Sequence, residues 1–156
     1  MTALADVQRG ALDAIDRIVN VEPSAERVLE RTVDVLHERF DRYSWVGIYV
    51  VEGSDLVLAA WRGPQATERV RIPVGHRICG AAAASGRTEV VDDVSADERY
   101  LVCFPSTRSE IVVPIHFRDA VVGEIDIDSD EPAAFDDGDR AFLEYVARMI
   151  SFRCRA

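Results

Sequence analysis

The sequence predicts an α+β domain with a central antiparallel sheet. Helices from both ends of the chain should cover one face, leaving a ligand pocket on the other. Three observations lead there. Apolar residues recur at helical spacing near both termini, the middle of the chain alternates with period two across tight turns, and a polar, irregular stretch covers 92–109. At 156 residues the chain has the size of one domain, spanning 1–156, with no internal repeat or linker.

The elements follow in order. Leu4, Val7, Ala11, Ile15 and Ile18 share a helical face over 4–19. A second helix over 24–40 carries Ala25, Val28, Thr32, Val35, Leu36 and Phe40, with Ser24 after Pro23 as its cap. The β-branched and aromatic run 43–51 is a strand, turned by Gly53-Ser54 into a second strand over 56–61. A short extended piece surrounds 70–73. An alanine-rich helix over 78–85 stops at Gly86, and 88–91 is extended again. Strands 111–117 and 120–128 pair across Arg118-Asp119, with Pro114 at an edge or bulge. Asp136 caps a last helix that presents Phe142, Tyr145, Val146, Met149 and Ile150.

Composition excludes several classes of function. Twenty-eight acidic against eighteen basic residues give a net charge of −10, leaving no basic surface for nucleic acid. Every basic residue is Arg, and this acidity speaks to solubility rather than fold. No apolar run approaches the roughly 18 residues of a membrane span, and Met1–Asp6 lacks the pattern of a secretory signal. Three scattered cysteines fit a reducing compartment, so a cytoplasmic protein is expected.

Strand alternation assigns the faces. Val46, Ile48 and Val50 suit helix packing, while Tyr43, Trp45, Gly47 and Tyr49 would face a cavity. Val121, Ile125 and Ile127 share one face of the later strand, and Glu124, Asp126 and Asp128 the other. Patterning alone leaves two readings of those acids, a solvated strand end or a pocket wall.

Motif chemistry is mostly negative. Asp126-x-Asp128-x-Asp130 lacks the Gly and Glu of a calcium loop, and no Cys or His pair stands at zinc spacing, so neither metal nor cofactor is expected. No Gly-x-Ser-x-Gly elbow or Walker-type loop occurs. Cys79 opens the short helix, where a helix N-terminus would favour its thiolate. Cys103 lies in the irregular stretch, and Cys154, near the end, is the one expected to be exposed.

Together these strings resemble a GAF domain, and more narrowly the free methionine-(R)-sulfoxide reductases. The residues that carry the resemblance are Trp45-Val46-Gly47-Ile48-Tyr49, 70–75, Ile78-Cys79-Gly80, Ser109-Glu110-Ile111-Val112 and Asp126-Ile127-Asp128-Ser129. The resemblance implies catalytic roles for Cys103 and Cys79, and substrate binding by Trp45, Tyr49, Glu110, Asp126 and Asp128. It departs at Arg69, where the family has its recycling cysteine, and at Phe104, where it has Asp.

The implied chemistry is attack of the Cys103 thiolate on a sulfoxide sulfur. Clustered carboxyls would protonate the oxygen and hold the ammonium of a free amino acid, with Trp45 and Tyr49 as walls. The implied partners are free methionine sulfoxide or a similar small amino acid, and a thioredoxin-like reductant or small thiol. The terminal helices could support a homodimer. The competing expectation is a non-catalytic GAF binding module that kept the pocket and lost the relay, consistent with Arg69 and Phe104.

Overall fold

The computed structural model describes residues 4–100 and 104–154. Two amphipathic helices come first, α1 (Asp6–Val21) and α2 (Ala25–Arg39). Ser24 Oγ accepts the Arg27 N–H at 3.3 Å, the expected cap. A hairpin follows, β1 (Trp45–Glu52) and β2 (Asp55–Arg62), turning at Gly53 with φ +62°. Next come β3 (Arg71–Pro73), α3 (Arg77–Ser85), β4 (Glu89–Val91) and a 3₁₀ turn at Val94–Ala96. Gly86 ends α3 in the left-handed conformation, its N–H reaching Ala82 O at 2.9 Å. The chain closes with β5 (Ser109–Phe117), β6 (Ala120–Ser129) and α4 (Asp137–Cys154). Asp136 Oδ1 accepts the Asp139 N–H, and Asp139 Oδ2 accepts the Asp136 N–H, a reciprocal cap that starts α4.

The six strands form one antiparallel sheet in the order β3-β2-β1-β6-β5-β4. Sequence-distant strands therefore meet at its centre, where β1 pairs β6 and β6 pairs β5. Two apolar clusters divide its faces. Ile48, Ile111, Ile125 and Ile127 pack with Ile15, Leu36, Phe142 and Val146 of α1, α2 and α4. Trp45, Tyr49 and Val112 pack on the opposite side with Ile72, Ile78, Cys79 and Phe104. The α+β architecture and the placement of the terminal helices agree with expectation.

Four face assignments change. Tyr43 precedes β1, so alternation does not govern it; it packs in the helix-side cluster and donates to Asp139 Oδ1 at 2.6 Å. Val121 leaves the Ile125 face because the β5–β6 register slips between Ile115 and His116, and it packs with the pocket-side cluster while Val122 packs with the helices. Val7 and Tyr145, at the margins of their apolar stripes, are 46% and 47% exposed. Cys154 is buried against the helix-side core rather than exposed, and that burial pushes its thiol up to about 12. Pro114 falls beyond the reach of β4, which pairs only with residues 110–112, so its missing N–H costs no ladder bond there.

Candidate functional site

The central strands set side chains in rows across the pocket face. Trp45, Asp128 and Glu110 stand opposite one another on β1, β6 and β5. The next row is Gly47, Asp126 and Val112, and the third is Tyr49, Glu124 and Pro114. One face thus carries four carboxyls, each almost wholly buried: Glu110, Glu124, Asp126 and Asp128. Gly47 is required by the row arrangement, since a Cβ there would overlap the six-membered ring of Trp45; one at Gly63 would overlap the same indole from its other side. Two glycines therefore make the slot in which Trp45 lies, bracketed by Trp61 (centroids 6.3 Å apart) and Phe104 (5.6 Å).

Helix α3 crosses over this floor and lowers Cys79 onto it. The Cys79 thiol donates to Asp126 Oδ2 at 3.3 Å. Gly80 allows the close approach, because a Cβ there would strike the backbone of Pro73 and Gly75. Sγ of Cys79 and one carboxyl oxygen each from Glu110 and Asp126 lie within 4.8 Å of one another. Such a set could share a cation, and an ammonium group meets the same need through hydrogen bonds. A cavity with about 440 Å³ of empty space, its open mouth included, lies above them. Trp45, Tyr49, Cys79, Glu110, Asp126 and Asp128 all line it, joined by Arg69, Arg77 and Phe104. The structure therefore brings together every predicted site residue that it describes; Cys103 lies outside the described residues.

Burial dominates the electrostatics. Glu110 is pushed well above the usual carboxylate range by burial and then by the charges of Asp126 and Asp128. Asp128 is raised by burial and by Asp126. Asp126 is raised by burial too, against hydrogen bonds with Glu110 and Cys79 that favour its charged form. The expected thiolate at Cys79 is reversed. Its thiol is pushed well up by burial, then by Asp126, Glu124 and Glu110, which outweigh the short helix's dipole. Oδ1 of Asp126, Oδ1 of Asp128 and both oxygens of Glu124 have no hydrogen-bond partner among the described residues.

Sequence reasoning passed over three contributors. Glu124 was legible from alternation with Asp126, though it sits beneath α3 rather than on the cavity wall. Arg77 and Arg99 reach the cavity from α3 and the 92–109 stretch, where no period signals direction.

Comparison with known proteins places this geometry. The GAF domain family matches residues 24–153. The chain is 33% identical over 129 residues to the free methionine-R-sulfoxide reductase of Escherichia coli, covering 83% of this chain and 77% of that one. The structure of free methionine-R-sulfoxide reductase from Neisseria meningitidis in complex with its substrate superposes with a TM-score of 0.88. Identity to it is 37%, over 98% of this chain and 92% of that one. A putative GAF sensor protein from Burkholderia vietnamiensis is similar as well, with a TM-score of 0.89 and 30% identity over 96% and 94% of the two chains.

Proposed function

The chain belongs to the GAF domain family, and from that premise we propose that it reduces free methionine-(R)-sulfoxide to methionine with a cysteine thiol. The observation that carries this reading is the acid row on the pocket floor. Glu110 and Asp128 face each other beside the Trp45 slot, and burial raises both carboxyls, favouring their protonated forms. Similarity to the E. coli and N. meningitidis reductases supports the same conclusion.

In this mechanism the ammonium of the free amino acid sits among Glu110, Asp126 and Asp128, and the methyl-sulfinyl end packs against Trp45 and Tyr49. The Cys103 sulfur attacks the sulfoxide sulfur while a floor carboxyl protonates the oxygen. The oxygen ends on Cys103 as a sulfenic acid, and methionine leaves. A second thiol then condenses with the sulfenic acid, releasing water and leaving a disulfide. That thiol is Cys79 or an external small thiol, since Arg69 occupies the usual recycling position. A thioredoxin-like partner reduces the disulfide. Cytoplasmic residence suits this thiol cycle, and no helix among the described residues is long and apolar enough to cross a membrane. The terminal helices remain candidates for a homodimer contact.

Turnover of L-methionine-(R)-sulfoxide with dithiothreitol, followed as methionine formed, tests the reading. Cys103→Ser is expected to abolish turnover and keep binding; retained turnover in that variant removes Cys103 as nucleophile. The second reading, a GAF receptor without turnover, is favoured by Arg69 and Phe104 and by likeness to the B. vietnamiensis protein. It predicts saturable sulfoxide binding with no methionine produced.

A further inference from the structure

Glu110, Glu124, Asp126 and Asp128 share the pocket face, and none of them forms an ion pair among the described residues. Oδ1 of Asp126 and Oδ1 of Asp128 also lack any hydrogen-bond partner there, on residues only 5% exposed. Buried oxygens in this state are costly, and a ligand that reaches them offsets the cost. Asp126 and Asp128 both line the cavity, which is where such a ligand arrives.

The thiol narrows the kind of ligand. Sγ of Cys79 and one oxygen each of Glu110 and Asp126 lie within 4.8 Å of one another, and Sγ stands 3.3 Å from Asp126 Oδ2. Donors around one zinc ion stand about 3.3–3.8 Å apart, given bonds of about 2.0–2.3 Å and tetrahedral angles. The Cys79–Asp126 edge already has that spacing, and the widest edge has to close by at most about 1 Å. An ammonium group bonds to the oxygens and makes little use of sulfur. A thiophilic divalent ion uses all three donors. Magnesium and calcium suit the set poorly, since each wants about six or more oxygen ligands.

We propose that Cys79, Glu110 and Asp126 bind a thiophilic divalent cation of the zinc class, and that this ion and the ammonium of a free amino acid exclude one another. The exclusion rests on the proposed reductase reading, which sets the ammonium among the same acids; the binding of the ion does not. The ion replaces the Cys79 proton. An S–metal bond forms as the S–H bond breaks, the proton goes to solvent, and no electrons are transferred. Turnover belongs to the metal-free protein, and the ion acts as an inhibitor. The ligands come from α3, β5 and β6, so no Cys or His pair at zinc spacing announces them.

Cobalt(II) is the probe, added to metal-free protein kept reduced with a phosphine, because its absorption bands report tetrahedral sites and thiolate bonds. Wild type and Cys103→Ser should both show the thiolate-to-cobalt band. Cys79→Ser should lose it, and Cys154→Ser, altered in the helix-side core, should keep it. Glu110→Gln and Asp126→Asn should each weaken cobalt binding by about a hundredfold or more, at least the loss caused by removing a supporting partner of a metal ligand. Zinc should displace the cobalt, and magnesium at about a hundredfold excess should not. Circular dichroism checks that each variant folds; if Cys79→Ser does not, the two acid variants decide. Calorimetry on Cys103→Ser, the variant expected to bind without turnover, reads the competition. Saturating zinc should weaken its affinity for L-methionine-(R)-sulfoxide by about tenfold or more.

A wild type without the thiolate band overturns the proposal. So does a band lost in Cys103→Ser but kept in Cys79→Ser, or acid variants that bind cobalt as wild type does. Unchanged sulfoxide affinity at saturating zinc, or no sulfoxide binding at all, overturns the exclusion. A protein that binds cobalt through these three residues and forms no methionine in the dithiothreitol assay removes the reductase reading and leaves the metal site standing.

Discussion

Glu124 offers the most exacting test of how this site is built. Its side chain is 0% exposed, and neither carboxyl oxygen has a hydrogen-bond partner among the described residues. Burial, then the charge of Asp126, lifts its carboxyl well above the usual range, against a smaller opposing effect of the Cys79 thiol. A carboxyl raised in the folded state binds its proton more tightly there than in the unfolded chain. Stability from that group is fully present below the unfolded value of about 4.3, and falls as pH rises from there through the folded value. The slope is about 1.4 kcal/mol per pH unit for one group.

Glu124→Gln keeps the shape and cannot ionise, so it lacks this decline. Urea unfolding at several pH values from 5 to 8, with ΔG(H₂O) extrapolated for both proteins, gives the difference curve. Between pH 5 and 7 that difference should shift toward the variant by up to about 3 kcal/mol. The amide's own burial contributes a constant offset, which the slope ignores. A difference curve flat to within about 0.5 kcal/mol from pH 5 to 7 refutes the claim that burial raises Glu124.

Other substitutions probe other parts of the molecule. Gly47→Ala pushes a Cβ into the Trp45 ring; it should cost about 1–3 kcal/mol and abolish measurable sulfoxide binding by calorimetry. Tyr43→Phe removes the 2.6 Å bond to Asp139 on the helix side; it should cost about 1–3 kcal/mol in urea unfolding and leave sulfoxide affinity unchanged. Cys154, buried and raised to about 12, should resist iodoacetamide at pH 8 in the native protein and label fully in urea, as read by peptide mass spectrometry.

The sequence carried the floor of the site further than its roof. Period two on β1 and β6 sorted Trp45, Tyr49, Asp126 and Asp128 onto one face correctly, because the β1–β6 register runs without a slip through those residues. It misplaced Val121 because the slip beside His116 adds a residue that alternation cannot see. It misplaced Tyr43 because that residue lies outside the strand, where its ring stacks on Phe40 at 4.6 Å. The Cys79 error had a different origin: local position suggested a thiolate, but three acids from distant strands and full burial decide its proton. Arg77 was illegible because its direction depends on a left-handed backbone that nothing in the local composition announces.

The division of labour between the rows on β1, β5 and β6 and the segments above them bears on how such a protein changes over time. The rows are tied into the sheet on both sides and into the helical layer beneath, so altering one acid disturbs several ladder partners at once. The covering segments, by contrast, meet the rows at contacts such as the Cys79 thiol on Asp126, the Phe104 ring against Trp45 and the Arg69 carbonyl on the Tyr49 hydroxyl. A lineage can therefore exchange a thiol for a guanidinium overhead without re-laying the sheet. Closely similar backbones can then carry different functions, with the cover as the part most free to change.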